Sequence, residues 1–282
     1  MIKPLTKAFY EIYPFPKKIN IESQIKTTWA WLDILLFDKL KLPKDYLRGK
    51  KVLDVGCGTG EKCLYFYEKG AIVTGIDQSS ISCKLAKKLL GNKAEIINSQ
   101  IECLDLKEEF DFIFSYGVLH HSTNPKSNFD IICKFLRKEG YIFLNLYSYY
   151  GWLLGSRLRL NKKIMKMFPN DKDMDKRIDY AIKSKPYEKI WSNLGNDKRT
   201  WYMDHFCNRQ STHTFKEVIG WFNENNVEFY NSFPDRFGKN NKFIPRTLNQ
   251  IEMLLRTGVK MDINVLGKKK YKPENEHVFY ET

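Results

Sequence analysis

Residues 52–60 read Val-Leu-Asp-Val-Gly-Cys-Gly-Thr-Gly, a short apolar run that ends in three glycines at alternate positions. Glycine takes positive φ without strain and lets a backbone approach a bound group closely, because no Cβ intervenes. Gly56, Cys57, Gly58 and Gly60 therefore outline a cradle for a cofactor, with the Asp54 carboxylate two residues ahead of it. A second carboxylate, Asp77, ends the next apolar run and is followed by Gln78. At a strand end close to such a turn, a carboxylate can accept both hydroxyls of a ribose. A third chemical feature is the pair His120–His121, which closes the stretch Phe-Asp-Phe-Ile-Phe-Ser-Tyr-Gly-Val-Leu-His-His over residues 110–121. Imidazole ionises near operating pH, so either ring can take a proton from a reacting group; either can also pack and hydrogen-bond locally.

The elements that must hold these groups alternate in type. Apolar runs at 52–55, 71–76, 94–97, 111–115 and 141–147 read as strands, separated by amphipathic helical stretches. Ser79 is placed to cap a helix that runs to Leu90 and ends at Gly91, and residues 126–138 read as a helix closed by Gly140. Strands separated by helices imply an α/β fold, a doubly wound and mostly parallel sheet covered on both faces. In that arrangement the glycine turn lies at the carboxyl end of the first strand, where a crevice opens. Ahead of this core, residues 1–48 form a helical preface, with Ile25, Trp29, Leu32, Leu36 and Leu40 near helical spacing. Residues 9–16 carry Pro14 and Pro16, which favour an extended or turn segment there. Residues 149–212 form a basic, Trp- and Tyr-bearing helical insertion. The rhythm then resumes: a capping-box spacing at Thr214 and Glu217 starts a helix, 227–233 and 261–266 read as strands, and 243–256 as a helix.

A dinucleotide fold would require Gly-x-Gly-x-x-Gly, yet counted from Gly56 the third glycine falls one residue early, at Gly60. The spacing Gly-x-Gly-x-Gly after Asp54 resembles the first motif of class I S-adenosylmethionine-dependent methyltransferases, and residues 110–121 resemble the fourth. The resemblance covers residues 51–148 well and extends more loosely through 214–233 and 263–268. It implies seven strands, the last inserted antiparallel beside the fifth, and S-adenosylmethionine as cofactor. It also implies that Gln100 and Ile101 meet the adenine and that the Ser115 and Tyr116 carbonyls face the amino group and sulfonium. The family often carries Asp where Gln100 stands. Trp201-Tyr202-Met203-Asp204-His205-Phe206, Thr212-His213-Thr214 and the Tyr-Pro-Phe-Pro segment resemble a bacterial subfamily of mostly unassigned substrate.

The resulting organisation is a lid at 1–48, a cofactor-binding core at 49–148, an insertion forming acceptor pocket or lid at 149–212, and the rest of the sheet at 213–282. Tyr10, Tyr13, Trp201, Asp204 and His205 are the candidate acceptor contacts, because aromatic and polar types suit a concave pocket. The six cysteines are scattered without a Cys-x-x-Cys pair, which suits neither a zinc site nor a disulfide framework, so no metal is expected. No run is apolar and long enough to span a bilayer and no secretory signal opens the chain, so a cytoplasmic protein is expected. The net charge of +14 comes mostly from lysines spread along the chain, in a composition also rich in Asn, Ile, Tyr and Phe that accompanies an AT-rich genome. A small-molecule acceptor is favoured. The alternatives are an RNA methyltransferase using the basic surface and a cofactor-binding protein without catalysis.

Overall fold

The structure is a computed structural model that describes residues 10–12, 14, 21–149, 156–169, 173–184, 202, 211–233 and 262–270. In chain order these carry helix α1 (Ile21–Asp33), strand β1 (Lys51–Val55), α2 (Glu61–Glu68), β2 (Ile72–Asp77), α3 (Ser80–Leu90), β3 (Glu95–Asn98) and β4 (Phe110–Tyr116). Then come α4 (Pro125–Lys134), β5 (Leu136–Tyr147), α5 (Ser156–Met167), α6 (Met174–Lys183), α7 (Phe215–Glu224), β6 (Val227–Phe233) and β7 (Asp262–Lys269).

The strands form one seven-stranded sheet in the order β3-β2-β1-β4-β5-β7-β6. The first five are parallel, and β7 lies antiparallel between β5 and β6. The order reverses between β1 and β4, so the carboxyl ends of these two strands, at Val55 and Ser115, border the crevice. Helices cover both faces, over two apolar clusters. One joins Val52, Phe66, Phe112, Phe114 and Phe143; the other joins Leu53, Ile113, Phe129, Ile142 and Phe222. Core aromatics meet edge-on and stacked, as Phe66 and Phe143 do with Phe114.

The N-terminal preface packs on the body as its spacing requires. Helix α1 widens into a π-turn over Ile34–Lys39, where the Leu40 N–H donates to the Leu35 carbonyl at 2.9 Å. That extra residue per turn turns Leu32, Leu35, Leu36 and Leu40 all inward, each at most 2% exposed. The insertion is helical at α5 and α6, which bury Ile164, Ile178, Ala181 and Tyr202 in a small separate cluster. Among the described residues no helix is long and apolar enough to cross a membrane.

Two local expectations are corrected. Tyr10, Glu11 and Ile12 are helical rather than extended, because the restriction imposed by Pro14 falls on residue 13. The helix expected over 126–138 ends at Lys134, and Leu136 already pairs with Phe110 in the sheet. Gly140 is thus a strand residue; a Cβ there would meet the Asp111 carbonyl oxygen at 2.8 Å. The capping box at Thr214 and Glu217 forms as its spacing implies. The helix expected over 243–256 lies outside the described residues.

Candidate active site

The corner around the glycine turn is built from the ends of β1, β2 and β3. Gly56, Gly58 and Gly60 all have positive φ, at +70°, +56° and +91°. The Gly56 and Cys57 N–H groups both donate to the Ile76 carbonyl, at 2.8 and 2.9 Å, which ties the turn to the end of β2. Asp77 completes the corner. Its Oδ2 accepts from the Gly58 N–H at 3.0 Å and its Oδ1 from the Ser79 N–H at 2.8 Å. Its own carbonyl accepts from the Ser99 N–H at 3.0 Å and from Asn98 Nδ2 at 2.9 Å. Burial pushes the Asp77 carboxyl above its ordinary pKa, against the pull of the Ser79 and Gly58 N–H groups.

Asp54 and Cys57 form the interior of this corner. Both are fully buried beneath the turn, and Asp54 Oδ2 accepts from the Cys63 thiol at 3.3 Å. Asp54 Oδ1 has no hydrogen-bond partner among the described residues, and burial raises this carboxyl to about 6. Gln78 is half-buried and Gln100 exposed beyond β3, with Ile101 buried next to it. At the end of β4 the Ser115 hydroxyl is buried with no partner among the described residues. Tyr116 stacks on Phe114 and Phe143 and takes the edge of Trp31. Burial, helped by the charge of Asp262, raises the Tyr116 phenol.

The loop after β4 carries the histidines over the other side. Val118 lies against the turn: a Cβ on Gly56 would sit 2.3 Å from Val118 Cγ2. His120 is fully buried and stacks on Tyr147 with ring centroids 3.8 Å apart. His121, 4% exposed, presents its ring to the edges of Tyr147 and Tyr10, the latter at 6.3 Å. The two rings differ in what surrounds them.

A network that the sequence did not suggest holds the loop from behind. The Ser211 N–H and hydroxyl both donate to the His120 carbonyl, at 2.7 and 3.2 Å. Ser211 Oγ also lies 2.8 Å from His213 Nε2, and His213 Nδ1 lies 3.0 Å from Glu217 Oε1. Burial would raise Glu217, but the hydrogen bond and charge of His213 outweigh it and lower the carboxyl. The His213 backbone bridges Tyr147 and Tyr149 at the end of β5. Ser211 and Glu217 flank the Thr-His-Thr segment, but a sequence gives no sign that its partner is a carbonyl 91 residues away.

Of the candidate acceptor contacts, only Tyr10 is among the described residues, and it reaches the histidine pair. Tyr13, Trp201, Asp204 and His205 lie outside them.

Comparisons with known proteins agree with this architecture. A family model described as a methyltransferase domain matches residues 47–206, more than half of the chain. Among curated proteins, the chain is 31% identical over 150 residues to the tRNA U34 carboxymethyltransferase of Photobacterium profundum, covering 51% of this chain and 43% of that relative. It therefore spans less than half the length of that relative. Among solved structures, PKMT2 from Rickettsia typhi in complex with AdoHcy matches with a TM-score of 0.61 and 19% identity, covering 82% of this chain and 50% of that one. Magnesium protoporphyrin IX methyltransferase from Synechocystis with bound SAH matches with a TM-score of 0.51 and 14% identity, covering 93% and 92%. At these identities the structural matches speak to fold alone, and the family model adds the assignment: the chain belongs to the S-adenosylmethionine-dependent methyltransferase family.

Proposed function

We propose that the chain transfers the methyl group of S-adenosylmethionine to a small-molecule acceptor, with the cofactor held at the glycine corner and the acceptor beside His121. The residues present suit that cofactor. The positive-φ glycines leave the turn open to close approach, and Asp77 keeps acceptor capacity for ribose hydroxyls, since each carboxylate oxygen already engaged has a second lone pair. The resemblance to the family assigns the adenine to Gln100 and Ile101 and the amino group and sulfonium to the Ser115 and Tyr116 carbonyls, with Gln78 beside Asp77 as a further cofactor contact. The Asp54 carboxyl, buried at the turn, belongs to the same cofactor-binding corner.

The cofactor supplies an already activated methyl group for in-line displacement, so the protein's tasks are alignment and exclusion of water. His121 is the base for an acceptor that must lose a proton, because its ring faces Tyr10. His120 sets the loop, stacked on Tyr147 and tethered by Ser211.

The single observation that carries the small-molecule reading is the enclosure of His121 between Tyr147 and Tyr10, which suits a pocket better than an open phosphate groove. A second reading, methylation of RNA, is favoured by the relative named above as a tRNA enzyme and by the net charge of +14. Tritiated methyl transfer into fractionated extracts separates the two. Label in the low-molecular-mass fraction is expected. Label in RNA, with submicromolar RNA binding that persists at physiological salt, would replace the first reading by the second.

A further inference from the structure

Helix α3 starts at the corner where Asp77 sits, and its first turn is capped largely from outside its own sequence. A helix leaves its first N–H groups without intrahelical partners and carries partial positive charge there, which a carboxylate offsets. Helix α3 has no acidic residue in its first turn. Its capping residue Ser79 serves one amide, accepting from the Ser82 N–H at 3.1 Å. The two amides ahead of it, those of Ser80 and Ile81, are served by Glu11, 69 and 70 residues earlier in the chain. Its carboxylate accepts from the Ser80 N–H at 2.7 Å, the Ser80 hydroxyl at 3.1 Å and the Ile81 N–H at 3.3 Å. Beside it, the Ser79 hydroxyl donates to the Tyr10 carbonyl at 3.2 Å.

These contacts form a continuous chain. Gly58 binds Asp77, Asp77 binds the Ser79 amide, Ser79 binds the Tyr10 carbonyl, and Glu11 binds the two amides beyond. The Glu11 charge also contributes to the raised Asp77 carboxyl. At the far end of the same helical turn, Tyr10 meets His121 edge-on. Residues 10–12 thus touch both sides of the crevice, the ribose corner through Glu11 and the histidine loop through Tyr10.

We infer that Glu11 is a positioning residue: it docks the 10–12 turn onto the start of α3, which holds Tyr10 against His121 and closes the ribose corner over the cofactor. Cofactor entry and product exit then require this dock to open at each turnover, which places Glu11 among the determinants of product release. The inference rests on the reading that the cofactor ribose lies at Asp77. It does not depend on which acceptor is methylated.

The test uses the full chain, S-adenosylhomocysteine as the probe, and the variants Glu11→Ala and Glu11→Gln. Without ligand, hydrogen exchange at the Ser80 and Ile81 amides should accelerate by about 10-fold or more in Glu11→Ala, since both lose a charged acceptor. In stopped-flow displacement the probe should leave Glu11→Ala about 10-fold faster than wild type, with Glu11→Gln between the two. Thermal unfolding measured alongside confirms that each variant is folded, and Glu11→Gln, which keeps the shape of the side chain, serves if the alanine variant is not. Unchanged exchange at the two amides would mean that the dock does not form. Faster exchange with an unaltered probe off-rate would mean that the dock does not gate the site. Either result overturns the inference. An Asp77→Asn variant that binds the probe as wild type does would instead remove the ribose reading beneath it.

Discussion

The glycine corner draws everything from Asp54 to Ile101 out of three successive strand–turn units, whereas the histidine side gathers Tyr10, His121, Tyr147, Ser211 and His213 from separate stretches of chain. The corner is held by backbone groups: the turn hangs on the Ile76 carbonyl, and Asp77 binds two N–H groups. The other side is held by backbone and side-chain contacts between stretches far apart in the chain. A cofactor common to a family is met by groups the fold itself supplies. On the proposed reading, the acceptor is met by residues brought in from the preface and the insertion, where change costs the sheet little.

If the corner works through its backbone, substitutions that move the backbone there should have the largest effects. Gly58→Val places a β-branched residue at φ +56° and fills the cradle, so S-adenosylmethionine affinity should fall by more than about 10³-fold, or about 4 kcal/mol. Calorimetry finding tight binding to the folded variant would move the cofactor elsewhere.

Asp54 sharpens the same side through pH. Its carboxyl is raised from 3.8 to about 6 by burial, so the folded protein holds that proton more firmly than the unfolded chain does. The stability it contributes is complete below about pH 4 and is lost as pH rises through about 6, a cost of up to about 3 kcal/mol at neutral pH. Urea denaturation of wild type and Asp54→Asn at pH 4 and pH 7 should show the variant gaining relative stability at the higher pH. An unchanged difference would mean that the carboxyl is not perturbed.

On the histidine side the expected effects are unequal. His121→Ala should lower turnover by about 10²-fold, about 2.7 kcal/mol, with cofactor affinity retained, if the acceptor must be deprotonated. His120→Ala should act chiefly on stability, by about 2 kcal/mol, because it removes a buried ring stacked on Tyr147. Equal losses of turnover in the two variants would erase the distinction between them. Smallest of all, Ser211→Ala should cost about 1 kcal/mol, since the Ser211 N–H still holds the His120 carbonyl. A denaturation midpoint that does not move would show the Ser211–His213–Glu217 network to be dispensable for the loop.

The contrast between the two sides also explains what a single sequence makes legible. The strand positions, the glycine turn, the place of Asp77 at the end of β2, the Ser79 cap and the Thr214–Glu217 box could all be read, because each depends on residues a few positions apart whose backbone needs are specific. The end of α4 was misread because Phe135 and Leu136 continue a helical pattern, while pairing of Leu136 with Phe110 decides the matter. The helical turn at Tyr10–Ile12 was missed for a related reason. It is docked on an α3 terminus 69 residues away, and no local pattern records that partner. That Asp54 accepts from the Cys63 thiol nine residues on is likewise not written in its spacing. Distance along the chain, more than residue type, separates what could be foreseen from what could not.

On the proposed reading, the cofactor lies in the glycine corner with its ribose on Asp77. Asp77 also braces the turn, so a simple loss of affinity in Asp77→Asn would mix two roles. A double-mutant cycle separates them: S-adenosylhomocysteine and its 2′-deoxy analogue are titrated by calorimetry into wild type and Asp77→Asn. Removing the hydroxyl should cost wild type about 1.5–3 kcal/mol, the range for a hydrogen bond to a charged group, and the variant much less. The same cost in both proteins would contradict the account, because Asp77 would then brace the turn without touching the ribose.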